Sequence, residues 1–377
     1  MSERNRDPFQ VKLGNAVEVA LDREISRRFE APLLKGKPVP SKWYRVPVKK
    51  GISGDGSEYH IYIKRGTSEN MCVFLSGGGV VWNEYTAARP ATGGRIAAGL
   101  PNFYWNNLRP LTQIMNIGYG LTETGNPRNP FDSWNFIIIT YATGDFHIGD
   151  GVFPYKGEDG QEHTLNFHGY GNFLAGMEAG RKYFGKQEKL LIAGESAGAF
   201  AVPALAGEIA EDHFPECRDV TLLSDSALLL YDGWRRTAKE VWHAPKKFRH
   251  RITSPNLALG WYMTLYRKYG ERFRYLYAGS PRDYLLSAYY NDVTNKTFTT
   301  DADVQKEFEA QLKEMLKEFR RLTPSFSFYI YNFRNMKRMY GKNSAGTVHT
   351  IVRRPQFHRR NREGITMAEW LRDAVRA

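Results

Sequence analysis

Two stretches near residue 50, Tyr44 to Lys50 and Glu58 to Lys64, alternate apolar and polar side chains and flank Gly51-Ile52-Ser53-Gly54-Asp55-Gly56. Period-two alternation marks a half-buried strand, so two such runs around a glycine-rich break predict a β-hairpin. Downstream, the alternation gives way to continuous apolar runs at Met71 to Leu75, Phe136 to Tyr141, Lys189 to Ala193 and Val220 to Leu223. Each is too short for an ordinary helix and soon meets Gly, Ser, Asp or Thr, which predicts strands buried on both faces. Tyr284 to Tyr290 and Ser325 to Tyr331 carry the β-branched and aromatic residues that strands favour and complete a set of eight expected strands.

Helical spacing is clearest from Val304 to Leu322, where Val304, Phe308, Leu312, Met315, Leu316 and Phe319 fall on one face. A hairpin followed by repeated strand, helix, strand units predicts an α/β fold, with a mostly parallel twisted sheet covered by helices on both faces. Two stretches depart from this rhythm. Residues 86–132 are rich in Gly, Pro, Asn and aromatics, as in a loop-rich excursion, and residues 231–277 are basic and aromatic, as in a helical insertion. Both are cap candidates. The expected organisation is an N-terminal extension at 1–43 and one elaborated domain over 44–377.

Composition narrows the choices. A chain of 377 residues with 42% apolar and 25% charged residues can bury a sizeable core. Its two cysteines, Cys72 and Cys217, cannot make a disulfide framework. No apolar stretch reaches membrane-spanning length, and the opening Met1-Ser2-Glu3-Arg4-Asn5-Arg6-Asp7 leads into no signal-like apolar core, so a cytoplasmic setting is expected. The net charge of +13 suits nucleic acid, a membrane surface or an acidic substrate. No zinc-finger spacing, RNA-binding signature or continuous basic helix accompanies it, and no nucleic-acid partner is expected.

The chemistry gathers around Gly194-Glu195-Ser196-Ala197-Gly198. A serine hydroxyl needs exposure at a sharp turn, a base, and donors for the oxyanion formed on attack. Gly-x-Ser-x-Gly between a strand (Lys189 to Ala193) and a helix (Ala199 to Ile209) supplies the turn and makes Ser196 the expected nucleophile. The oxyanion donors are expected from Ala197 and from the cluster Ser76-Gly77-Gly78-Gly79 after the third strand, with Gly78 and Gly79 preferred. In this scheme an acid and then a histidine follow on loops after later strands. Asp225 and Asp292 qualify as acid, and His349 and His358 as base; Asp292 and His349 are preferred. His147, in Gly144-Asp145-Phe146-His147-Ile148-Gly149-Asp150, is expected to shape the pocket together with Asp145, and no metal or organic cofactor is required.

Assembled in order, these segments resemble the pectin acetylesterase family, to which Notum-type carboxylesterases also belong. The resemblance is carried by Leu75-Ser76-Gly77-Gly78-Gly79 with Trp82 and Asn83, by Trp134-Asn135 through Gly149, and by Gly194 to Gly198. It continues through Ser224-Asp225-Ser226, Ala288-Tyr289-Tyr290-Asn291-Asp292, Val348-His349-Thr350 and the closing Ile365 to Leu371. The cysteines that family members secreted by eukaryotes place beside the oxyanion glycines and before the histidine are missing, with Val81 and Gly346 near those places, and the acid segment carries an extra residue, Tyr290 or Asn291.

The resemblance implies an α/β-hydrolase and a serine carboxylesterase that removes O-acetyl groups from a carbohydrate. Trp82, Asn83, Asp145 and His147 are the expected substrate-binding residues. An acidic acetylated glycan would suit basic stretches at 246–274 and 334–362, although a solvated basic face explains them equally well. A second reading is a lipase-like or polymer-degrading ester hydrolase with an aromatic pocket of Trp82, Tyr104, Trp105, Trp134 and Phe146. A third is a non-catalytic binding protein on the same scaffold.

Overall fold

The computed structural model describes residues 30–109, 117–334 and 346–376. Most of the expected N-terminal extension, and residues 335–345 of the second basic stretch, lie outside them. Eight strands form one sheet: β1 (Trp43–Ile52), β2 (Glu58–Lys64), β3 (Asn70–Leu75), β4 (Asn135–Ile139), β7 (Lys189–Glu195), β8 (Asp219–Asp225), β9 (Phe273–Gly279) and β10 (Ser327–Ile330). A separate antiparallel hairpin pairs β5 (Gly151–Lys156) with β6 (Glu162–Phe167). The sheet order is β1-β2-β4-β3-β7-β8-β9-β10. β2 runs antiparallel to β1 and β4, and from β4 to β10 every neighbour pair is parallel. This is the α/β-hydrolase arrangement expected from the apolar runs.

Side-chain alternation along the buried strands builds two cores. Met71, Val73, Leu75, Ile137, Ile139, Leu190 and Ile192 enter one, while Cys72, Phe74, Phe136, Ile138, Leu191 and Ala193 enter the other. A strand buried on both faces must be apolar at every position, which is why these runs show no alternation in the sequence. The first face is covered by the helices Gly169–Arg181, Ala197–Glu208, Leu257–Tyr269 and Ala302–Leu322. The helix Met367–Arg376 covers the second with Met367, Ala368, Leu371 and Val375. The long amphipathic helix buries Phe308, Leu312, Met315 and Phe319, as its spacing predicts.

One expected strand is corrected. Tyr284–Asn295 is a helix, and the strand that fills its place in the sheet is β9, inside the end of the expected helical insertion. Aromatic content misleads at 284–290 because a local signal wins: Asp283 accepts from the amides of Leu285 and Leu286, each at 3.0 Å, and so caps the helix. The other expected insertion, between β3 and β4, contains two short helices, Glu84–Ala87 and Gly93–Ala97, and a 3₁₀ turn, Gly120–Thr122.

Because β3, β7, β8, β9 and β10 are parallel neighbours, the loops that follow them leave from one edge of the sheet. In an open α/β sheet this carboxyl edge is where ligands bind.

Candidate active site

Ser196 stands between β7 and the helix Ala197–Glu208 with φ 51° and ψ −124°, a left-handed conformation that costs a non-glycine residue about 1–3 kcal/mol. Its neighbours hold it there. The Ser196 amide donates to the Asp225 carbonyl at 2.9 Å, and Gly198 packs so closely that a Cβ would lie 1.9 Å from the Leu75 carbonyl oxygen. The side chain is half-buried rather than sealed in the core.

The expected oxyanion segment lies beside it. A Cβ on Gly77 would meet Ser196 Cβ at 2.7 Å, which puts the backbone of this loop against the serine. Gly79 has φ +81° and would collide with the Phe103 carbonyl at 1.9 Å if it carried a side chain. Among the described residues the amides of Gly77, Gly78, Gly79 and Ala197 make no hydrogen bond, whereas Val80 and Val81 donate to Phe103 and Gly144. Unpaired amides on two neighbouring, partly buried turns are donors available to an oxygen. Gly77 was not among the preferred residues, and its closeness to Ser196 emerges only from the packing of β3 on β7.

His349 follows β10 and is 5% exposed. Its Nδ1 lies 2.6 Å from Oδ2 of Asp283, on the loop after β9, while its Nε2 is buried without a partner among the described residues. The carboxylate beside this ring is therefore Asp283, not the expected Asp292. Asp292 sits further along the helix Tyr284–Asn295, where burial raises its pKa to about 6 and one carboxyl oxygen has no partner. The strand assigned over 284–290 concealed Asp283; Ser280-Pro281-Arg282-Asp283 ahead of an apolar run is a helix-start signal that could have exposed it.

The alternative candidates have other partners. Asp225, fully buried, accepts through Oδ2 from the amides of Ile351 at 2.7 Å and Val352 at 2.9 Å, and through Oδ1 from Tyr331 Oη at 2.8 Å. Burial raises its pKa even against these donors. Arg353, next in the chain, pairs with Glu195, which precedes the serine. Glu195 and Asp225 thus bind the loop of His349 to the two strands beside Ser196. His358 pairs with Glu123 at 3.2 Å.

The four residues expected to bind substrate have partners within the protein. Trp82 is 2% exposed and packs edge-on against Phe103 and Tyr289; Asn83 caps the helix Glu84–Ala87. Asp145, fully buried with its pKa raised to about 6 by burial, accepts from Thr143 Oγ1 and the amides of His147 and Gly169. His147 Nε2 lies 2.8 Å from the Ser76 carbonyl, immediately before the glycine cluster. Burial lowers its pKa to about 4, so the ring is neutral at pH 7 and must carry its proton on Nε2 to donate to that carbonyl. It thereby holds the backbone at the start of the glycine loop. Among the described residues no three His, Cys, Asp or Glu side chains gather as a metal site.

Several groups in the basic stretch at 246–274 are paired with acidic or carbonyl partners. Lys247 pairs with Glu208, Lys268 with Glu211 and Arg274 with Asp219, and Arg251 donates to the Ala204 carbonyl.

Two outcomes follow from these supports. Asp225→Ala strands two buried amides and loses about 3 kcal/mol of stability in denaturant unfolding. His147 binds a proton more weakly folded than unfolded, so its contribution is intact above pH 6.5 and lost as pH falls through about 4. His147→Gln, which retains a donor but cannot charge, will show a flatter fall in stability between pH 6.5 and 4 than the parent protein.

Comparison with known proteins agrees with this construction. The Pectinacetylesterase family model matches residues 45–233, half of the chain. That span holds the glycine cluster, Ser196 and Asp225, and ends before Asp283 and His349. A search of curated proteins gave no match. With half of its length matched, including the turn that carries Ser196, the chain belongs to the pectinacetylesterase family.

Proposed function

We propose that the chain is a serine carboxylesterase that removes O-acetyl groups from a pectin-like glycan through an acyl-enzyme, with Ser196, His349 and Asp283 as its catalytic triad. The observation that carries this reading is the 2.6 Å contact between His349 Nδ1 and Asp283 Oδ2 with the opposite ring nitrogen left unpaired. A carboxylate on Nδ1 fixes the proton there, so Nε2 keeps its lone pair and is the nitrogen that can act as base. Family membership supports an ester hydrolase acting on carbohydrate acetyl groups.

In the proposed reaction Nε2 takes the proton from Ser196 Oγ as that oxygen attacks the ester carbonyl. The oxyanion is received by the amides of Ala197, Gly78 and Gly79, and the imidazolium by Asp283. Nε2 returns the proton to the departing sugar hydroxyl, and water, activated by the same nitrogen, releases acetate. An acidic glycan is favoured by the net charge of +13 and by Arg359, whose exposed guanidinium lies 5.3 Å from the ring of Phe333. The Phe333 carbonyl accepts from Val348, next to His349, so this charge adjoins the loop of the base.

The aromatic pocket needed by a lipase-like reading loses its support, because Trp82, Tyr104, Trp134 and Phe146 are each 5% exposed or less and belong to the core.

Acetate release from acetylated pectin, acetylated xylan and an aryl acetate tests the assignment; inactivity on all three would remove the deacetylase reading. Ser196→Ala will abolish both turnover and labelling by a fluorophosphonate. Asp283→Asn, which leaves a capping oxygen in place, will lower kcat about 10⁴-fold, as loss of the acid does in other triads. Asp292→Asn will leave kcat within a fewfold of the parent; the reverse ranking of the two aspartates would overturn the triad as drawn.

A further inference from the structure

Trp105 is a large apolar side chain that joins neither core cluster of the described residues. It is half-buried, and among the described residues its ring meets no other aromatic and its indole N–H makes no hydrogen bond. Its backbone, by contrast, is held firmly. The Trp105 amide donates to the Gly78 carbonyl at 2.9 Å, and the preceding Phe103 and Tyr104 are buried, with Tyr104 Oη donating to the Ala87 carbonyl at 2.8 Å. The ring stands beside the glycine loop: a Cβ on Gly78 would meet Trp105 Cδ1 at 3.3 Å and Tyr141 Cδ1 at 2.7 Å. Tyr141 is itself fixed by donating to the Gly79 carbonyl at 3.0 Å and accepting from the Phe146 amide at 2.9 Å.

Sheet order says which part of a substrate this wall would meet. The glycine loop follows β3, on one side of β7 and Ser196; the loop of His349 follows β10 and is bonded to Asp225 on β8, on the other side. The departing alkoxide must face His349 Nε2 to be protonated. With the carbonyl oxygen received between the amide of Ala197 and those of the glycine loop, and the alcohol toward β8, the acyl chain is the substituent turned away from β8, on the side of β3.

We infer that Trp105 is the wall of the acyl pocket and limits the acyl group to a short chain. The inference rests on the assignment of Ser196 as nucleophile. An indole across the end of the pocket leaves room for a methyl group and obstructs added methylenes, and one methylene can change kcat/KM by about tenfold or more.

The test is a ladder of p-nitrophenyl acetate, butyrate and hexanoate, with a second ladder of acetate esters differing in the alcohol. Trp105→Ala will raise the butyrate-to-acetate ratio of kcat/KM at least tenfold and leave the ranking of alcohols unaltered. Trp105→Phe, a smaller perturbation that guards against misfolding of the alanine variant, will shift the acyl ratio in the same direction by less. An unaltered acyl ratio in a variant whose Ser196 still reacts with a fluorophosphonate would overturn the assignment of Trp105, as would a change confined to the alcohol ladder. Failure of the parent protein to be labelled at Ser196 would count instead against the nucleophile.

Discussion

The site depends on a single carboxylate that faces two ways. Asp283 gives one oxygen to the first amides of the helix Tyr284–Asn295 and the other to the ring of His349. Neither bond alone would fix the ring. A carboxylate on a flexible loop could approach the imidazole from many directions, but one already seated at a helix N-terminus has lost that freedom, and the helix end favours its negative charge. The imidazole is thereby referred to a rigid helix rather than to a loop.

A second carboxylate does the equivalent work for the backbone. Residues 349–353 have no ladder partner on the sheet, and Asp225 substitutes for one by accepting from Ile351 and Val352 while its own carbonyl accepts from Ser196. Removing a charged group from water is costly, and the raised pKa of Asp225 records that cost. Arg353 on Glu195 adds an ion pair at the same seam, and the guanidinium also lies 4.4 Å from the ring of Phe74. The polar seam and the apolar sheet beneath it therefore meet at defined positions.

This division explains what the sequence made legible. Strands buried on both faces declare themselves as unbroken apolar runs, as four do here; with two read from alternation and one from strand propensity, seven of the eight expected sheet strands are found where the pattern puts them. β9 was hidden because Phe273-Arg274-Tyr275-Leu276-Tyr277 lies in a basic, aromatic context, and Tyr284 to Tyr290 took its place on aromatic propensity. That single exchange drew attention to Asp292 and away from Asp283, nine residues earlier, the carboxylate that lies beside His349. The glycine and serine turns were readable because tight backbone geometry restricts residue choice. Trp82, Asn83, Asp145 and His147 pack or hydrogen-bond within the scaffold of the reactive loop, a part that conspicuous polar and aromatic residues can play as well as binding.

At the glycine loop after β3 the groups that hold the backbone are more telling than the open amides. A hydrogen-bond donor stabilises a developing charge only if it need not move to do so. Here the amides of Gly78 and Gly79 are left open while their carbonyls are occupied by the Trp105 amide and Tyr141 Oη, and the carbonyl of Ser76 by His147. The peptides Ser76–Gly77 and Gly78–Gly79 are thus held at their oxygens while their amide nitrogens make no hydrogen bond among the described residues. Glycine is what allows this, since a Cβ at 77, 78 or 79 would collide with Ser196, Tyr141 or Phe103. The buried aromatic and histidine residues around the loop keep its dipoles oriented before any substrate arrives, which is the condition under which such dipoles lower a barrier rather than merely bind.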